Sequence, residues 1–177
     1  QVLPQAWRVT SSCSGAVKGV LPGVGGAATQ LPSSVPGALE SVRVSDDLIG
    51  RPWLRPIYDE PEFVVRNTYR LYGGWWDGDP AHLKPPPAAA LAVELADLAG
   101  GVDVLASRAR ERSEAGDHRM ACQLIELAAQ ASNDPGIWRL RSQLYLARAG
   151  HETSLMAKGV FSEAARAGDE HAAQLEA

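Results

Sequence analysis

The chain has 177 residues, 45% of them hydrophobic and 21% charged, a composition typical of a soluble globular domain. A net charge of -4 and a pI near 5.6 argue against a nucleic-acid-binding protein, because phosphate contacts need clustered Lys and Arg. No apolar run approaches the roughly 18 residues that a membrane-spanning helix requires.

Residues 1–36 differ from the rest of the chain. They are rich in Gly, Ser, Pro and Val and contain no Asp or Glu. Because they show neither helical nor alternating periodicity, we predict a flexible segment or one foreign to the domain that follows. The chain begins with Gln1, so we expect a fragment or a processed product, in which a signal peptide is not observable and the compartment stays unknown.

From residue 37 onward the pattern predicts α-helices and no strands, so we interpret 37–177 as one all-α domain. Ser45 opens a short helix. Asp59 and Glu62 have the spacing of a capping box. Asp117 and Asp134, the latter before a proline, are further N-caps. The longer helices are predicted over about 60–72, 87–99, 102–115, 118–131, 135–149 and 152–167.

The spacing of apolar residues predicts which helix faces are buried. On the helix over 87–99, the inward stripe consists of Leu91, Leu95 and Leu98. On the last helix, it consists of Met156, Val160, Phe161 and Ala164. Short loops and small residues at packing positions predict an antiparallel helical bundle with tetratricopeptide-like helix pairs, preceded by the irregular N-terminal segment.

The sequence lacks the spacing of known catalytic and metal-binding motifs. Its four histidines, at positions 82, 118, 151 and 171, lie too far apart for a zinc motif. The acidic residues between 59 and 62 are interpreted as helix capping rather than a metal site. Cys122 lies in a helical apolar stripe, which favours core packing over a disulfide with Cys13. We therefore assign no catalytic, cofactor-binding or metal-ligating residue to this chain.

The aromatic segment from Tyr69 to Trp76 is the candidate interaction surface. Tyr, Trp and Arg dominate binding hot spots, and two adjacent tryptophans beside a turn are expected to be buried against this chain or a partner. An anchor for helix packing is the alternative interpretation, and both can hold. The predicted interface or cleft-lining residues are Tyr58, Arg66, Tyr69, Arg70, Tyr72, Trp75, Trp76 and Asp77.

Three stretches carry a resemblance to a known family. They are Tyr58–Leu83, which contains Gly-Gly-Trp-Trp-Asp-Gly, then Ala115–Cys122, and finally His151–Phe161. Together they resemble the dimerisation domain of the metallo-β-lactamase-related alkylsulfatases, over roughly residues 37–168. Residues 1–36 show no such resemblance.

The resemblance implies a parent enzyme with a metallo-β-lactamase-fold domain, which binds two zinc ions through a His-x-His-x-Asp-His motif and hydrolyses alkyl sulfates. The helical domain would then hold two subunits together and contact the metallo-β-lactamase-fold domain. This chain has no counterpart of the zinc motif. The leading hypothesis is therefore a homodimerisation module that lacks the catalytic domain. The alternatives are the C-terminal part of an active alkylsulfatase and a freestanding helical-repeat adaptor that binds a protein partner.

Overall fold

The structure of the protein is a computed structural model, and residues 35–177 are described. Within this range the chain forms α-helices and no strands, which confirms the predicted all-α class. The predicted flexible or foreign segment 1–36 lies outside the described residues, apart from its last two positions, and so does Cys13. The helices are α1 (Val35–Ser41), α2 (Asp46–Ile49), α3 (Pro61–Gly73), α4 (Ala88–Ala99), α5 (Val102–Glu114), α6 (His118–Gln130), α7 (Pro135–His151) and α8 (Leu155–Glu176).

The chain divides into two compact units. The first unit comprises Gln1–Pro56 and Glu60–Lys84, of which the structure describes 35–56 and 60–84. The second unit comprises Ile57–Asp59 and Pro85–Ala177. The region predicted as one domain, 37–177, thus contains parts of both units.

In the first unit, α1 packs against α3, and the Val35 amide donates to the Asp77 carbonyl at 3.2 Å. The predicted capping box is wrong, because α3 begins one residue later, with Glu60 as N-cap and no side-chain cap. Pro61 lies in the first turn of α3, where a backbone N–H would have no partner within the helix. The absence of an N–H in proline therefore costs no hydrogen bond there. Among the described hydrophobic residues of this unit, Ala38 alone is buried.

The second unit is a stack of helices around a continuous core. Helix α5 packs on α6, α6 on α7 and α7 on α8, while α4 packs on α6 and α5. The core is built from aliphatic residues of helices α4 to α7, among them Leu105, Ile125, Leu140 and Leu144. The carboxylates of Asp117 and Asp134 accept backbone amides of Met120 and Gly136, so the predicted N-caps of α6 and α7 are formed. Cys122 is buried, as predicted.

The predicted inward stripe of α4 is wrong. The buried residues of α4 are Ala92 and Ala96, whereas Leu91 and Leu98 are exposed. The small alanine side chains let α4 approach its neighbours closely, which leaves the leucines beside the contact rather than in it.

The prediction for the last helix is also wrong in part. Helix α8 continues to Glu176, and Met156 and Val160 are exposed, while Ala157, Ala165 and Ala172 are buried. Gly168 explains this geometry. A Cβ atom there would lie 3.2 Å from the Trp138 carbonyl oxygen and 3.4 Å from Ser142 Cβ, so the two helix backbones are close. Within residues 35–177, no helix is long and apolar enough to span a membrane.

Candidate interaction surface

Four of the predicted surface residues lie on α3. Arg66 is half-exposed and makes an ion pair with Glu62, one turn earlier, at 3.2 Å. The ring of Tyr69 lies over Gly73, where a Cβ atom would come within 3.4 Å of it, and partial burial raises the pKa of the Tyr69 phenol. Arg70 and Tyr72 are exposed. The helix therefore presents Arg and Tyr side chains to its surroundings, with Tyr69 packed back on its own backbone.

The turn after α3 is held by side-chain hydrogen bonds. The Asp77 carboxylate accepts the Asp79 amide at 3.0 Å, and the Asp79 carboxylate accepts the Ala81 amide at 2.9 Å. The Trp76 indole N–H donates to the Asp79 carbonyl at 3.0 Å. The second carboxylate oxygen of Asp77 lies 2.5 Å from His82 Nδ1. The indole hydrogen bond and the bonds made by the adjacent Asp77 thus hold Trp76 on this turn.

Asp77 and His82 also change each other's ionisation. The hydrogen bond and the negative charge of Asp77 raise the pKa of His82. The same hydrogen bond, with that of the Asp79 amide, lowers the pKa of Asp77. Each shift favours the charged form of its group.

Within the described range 35–177, the two tryptophans differ in how far they are covered. Trp75 is 76% exposed and Trp76 is 40% exposed. Burial against this chain, one of the two predicted alternatives, is therefore wrong for Trp75, whereas Trp76 is partly buried. Burial against a partner stays a prediction. We call Tyr69, Tyr72, Trp75 and Trp76 the aromatic surface.

Tyr58 lies elsewhere. It belongs to the second unit, where segment 57–59 docks on the start of α8. The amides of Leu155 and Met156 donate to the carbonyls of Ile57 and Tyr58 at 2.7 and 3.2 Å, and Ser154 Oγ donates to the Tyr58 carbonyl at 2.8 Å. The segment thus provides acceptors for amides at the helix start, which have no partner within the helix itself. The role observed for Tyr58 comes from its backbone, and its side chain is exposed.

Sequence reasoning missed a polar cluster inside the second unit. Arg141 Nε donates to Glu126 at 2.8 Å, Arg141 Nη1 donates to the Ala164 carbonyl at 2.8 Å, and the Tyr145 hydroxyl donates to Glu126 at 3.0 Å. Burial and the Glu126 charge raise the pKa of Tyr145. The cluster connects α6, α7 and α8. Its members lie too far apart in sequence for any local spacing to reveal it, except that Arg141 and Tyr145 are one helical turn apart.

Two histidines meet in the second unit. The rings of His118, at the start of α6, and His151, at the end of α7, lie 4.1 Å apart. Burial, followed by the charges of His151 and Arg148, lowers the pKa of His118. Within the described part of the chain, no three His, Cys, Asp or Glu side chains come together in a way that could hold a metal ion. The pair is best explained by packing between helix ends.

Comparisons with known proteins agree with one another. Residues 37–170 match the family described as "Alkyl sulfatase dimerisation". The chain is 34% identical over 102 residues to a linear primary-alkylsulfatase of Pseudomonas sp., covering 57% of this chain and 19% of that protein. It is 31% identical over 87 residues to an (R)-specific secondary-alkylsulfatase of Pseudomonas sp., covering 49% of this chain and 13% of that protein.

The fold has a counterpart among solved structures. The stereoselective inverting sec-alkylsulfatase Pisa1 from Pseudomonas sp. superposes with a TM-score of 0.68 at 20% identity, covering 78% of this chain and 22% of that one. The chain thus spans about a fifth or less of the curated relatives that it matches.

Proposed function

This chain belongs to the alkyl sulfatase dimerisation family, and we propose that it joins two copies of an alkylsulfatase-type enzyme. Its relatives are named as alkylsulfatases, and the family that it belongs to is named for their dimerisation. The helices would provide the contact between subunits, and the chemistry would belong to a different domain.

The exposed aromatic surface is the observation that supports this proposal best. Trp75 and Trp76 are held beside a hydrogen-bonded turn, and yet much of their surface is open to water. An exposed aromatic cluster on a well-ordered turn is typical of a protein–protein interface, because large rings bury much area and lose little conformational freedom. Arg66 and Arg70 lie on the same helix, and Arg is also enriched at interfaces. We propose that a second copy covers this surface.

Hydrolysis of a sulfate ester would require a catalytic domain in addition to this chain. The resemblance to the family implies two zinc ions in a metallo-β-lactamase-fold domain, and we propose that such a domain belongs to the full-length protein and contacts this chain. Zinc would supply an activated water there. The residues described here would contribute by holding two such domains in a fixed arrangement.

Sedimentation equilibrium of the full chain at micromolar concentration tests the proposal. We expect a mass twice the 18.8 kDa of one chain. A monomer across the whole concentration range would overturn the dimerisation function.

An assay with dodecyl sulfate and added zinc tests where the chemistry lies. We expect no sulfate release above that of zinc in buffer. Turnover by the chain alone would contradict the assignment of hydrolysis to another domain.

A further inference from the structure

Helix α4 has an apolar stripe that residues 35–177, the described part of the chain, leave largely exposed. Its inner face packs on α5 and α6 through Ala92 and Ala96. At about 100° per residue, Leu91, Leu95 and Leu98 lie within roughly 60° of each other, immediately beside this alanine face. Leu91 is 47% exposed and Leu98 is 77% exposed, while Leu95 is half-buried. The stripe therefore continues the core of the second unit to its surface.

The C-terminal half of α8, at the other end of the helical stack, differs in this respect, although Met156 and Val160 in the N-terminal half of α8 are exposed. Along the C-terminal half of α8, the outer surface is charged, and Arg166 makes ion pairs with Glu163 and Glu170. Stacked-helix proteins need such a polar outer face on their terminal helices to stay soluble, because each repeat buries its apolar side against the next. Helix α4 lacks this polar cap over Leu91 and Leu98. The stack at α4 is thus built to continue onto another surface.

We propose that this surface is α4 of a second copy, with Leu91, Leu95 and Leu98 of the two helices forming an antiparallel seam about a twofold axis. The inference rests on the proposed dimerisation function, which provides the second copy. The spacing is self-complementary: when the helix is turned about an axis near Leu95, Leu91 lies opposite Leu98 of the partner subunit. This is the geometry of an isologous contact, in which one patch meets itself.

The charges on α4 fit this arrangement. Its two acidic residues, Glu94 and Asp97, follow the stripe around the helix on the side away from Ala92 and Ala96. The stripe therefore lies between a packed face and an acidic flank. An apolar centre with a polar rim is the usual anatomy of an interface between proteins. The acids lie at the edge of the seam, where they stay in water.

A charge placed in the stripe tests the seam. We expect Leu98→Glu to raise the dimer dissociation constant at least tenfold in sedimentation equilibrium, because each copy would bury a carboxylate against the apolar stripe of the other. Leu91→Glu, at the other end of the seam, should act alike. The matched control is Leu146→Glu on α7, since Leu146 is 61% exposed and lies outside α4. It should change the constant less than twofold.

A double substitution tests the register. In L91K/L98E, each Lys would face a Glu of the partner subunit at both ends of the seam, and we expect dimerisation to recover at least threefold from L98E. Far-UV circular dichroism of each variant checks that the helices persist. If L98E and L91E, both still helical, dimerise like the unchanged chain, or if L146E weakens the dimer equally, the seam is wrong while the dimerisation function stands. If the unchanged chain is monomeric, both are wrong.

Discussion

The two units of this chain place their apolar residues in opposite ways. The second unit encloses Ile125 and Leu144 among helices α5 to α7 and adds a polar cluster around Arg141. The described part of the first unit buries Ala38 and leaves its tryptophans exposed. A set of short helices with so little buried apolar surface has little to offset the entropy lost on folding. The contrast indicates that the second unit is stabilised by its own core, whereas the described part of the first unit buries little apolar surface of its own.

A cavity in the second unit should have the largest effect. Ile125 is fully buried, so Ile125→Ala is expected to lower the free energy of unfolding by about 3 kcal/mol, through lost burial and the space left behind. Urea denaturation followed by circular dichroism measures this. The control in the first unit is Val64→Ala, an exposed position, which should change the free energy by less than about 0.5 kcal/mol. Equal effects would break the contrast between the units.

The polar cluster predicts the next largest effect. Glu126→Ala leaves the largely buried Arg141 guanidinium and the Tyr145 hydroxyl without their shared acceptor, and we expect a loss of about 2 kcal/mol in unfolding free energy. Glu111→Ala, which removes an exposed ion pair with Arg108, serves as the control and should cost less than about 0.5 kcal/mol. If both changes had the same small effect, the cluster would not contribute to the stability of the second unit.

Substitution in the aromatic surface should affect association rather than folding. We expect Trp75→Ala to weaken the dimer about tenfold, about 1.4 kcal/mol, and to leave the urea transition of the second unit unchanged. Trp53→Ala is a matched control, because Trp53 is equally exposed in the first unit but lies outside the aromatic surface. Sedimentation equilibrium separates the two. A lower urea midpoint with unchanged association would show that Trp75 stabilises its own chain.

The smallest effect concerns two histidines with opposite shifts. The pKa of His82 is raised in the first unit and that of His118 is lowered in the second. The contribution of His82 is therefore complete below its unfolded pKa of about 6.5 and is lost as pH rises through its folded value. For His118 the sign reverses: stability is lost as pH falls below about 6.5, because the unfolded chain binds the proton more readily.

Proton NMR titration of the two imidazoles measures these shifts. We expect the His82 midpoint above and the His118 midpoint below that of a histidine in the urea-unfolded chain. Asp77→Asn should move the His82 midpoint back toward the unfolded value and leave that of His118 in place. A His82 midpoint that does not respond to this change would rule out the Asp77 contact.

Helix positions and caps could be predicted from the sequence because they depend on local chemistry. Asp117 and Asp134 are followed by helices in which the cap geometry forms, and the Gly-Gly pair after Tyr72 ends α3. The error at Asp59 has a different origin. That residue lies in segment 57–59, whose backbone docks on α8, and a contact with a helix almost a hundred positions away leaves no local signal.

The buried faces were harder to predict for a physical reason. Periodicity shows that a face is apolar and does not show what covers it. On α4, two apolar faces adjoin, and the alanines rather than the leucines make the contact within the chain. On α8, the close approach to α7 requires Gly168, a residue that sequence patterns treat as a helix end. Seven of the eight candidate surface residues belong to the first unit, and Tyr58 belongs to the second. The chain passes from one unit to the other between Asp59 and Glu60, and sequence patterns gave no sign of this boundary.

The docking of segment 57–59 on α8 makes the second unit discontinuous. The polypeptide enters this unit at Ile57, leaves it after Asp59 and returns at Pro85, so no single cut yields it whole. Excising residues 85–177 would deprive the Leu155 and Met156 amides and the Ser154 hydroxyl of their acceptors and let the first turn of α8 fray. If this helical stack were grafted into another protein, segment 57–59 would have to be added as a separate peptide to provide these acceptors.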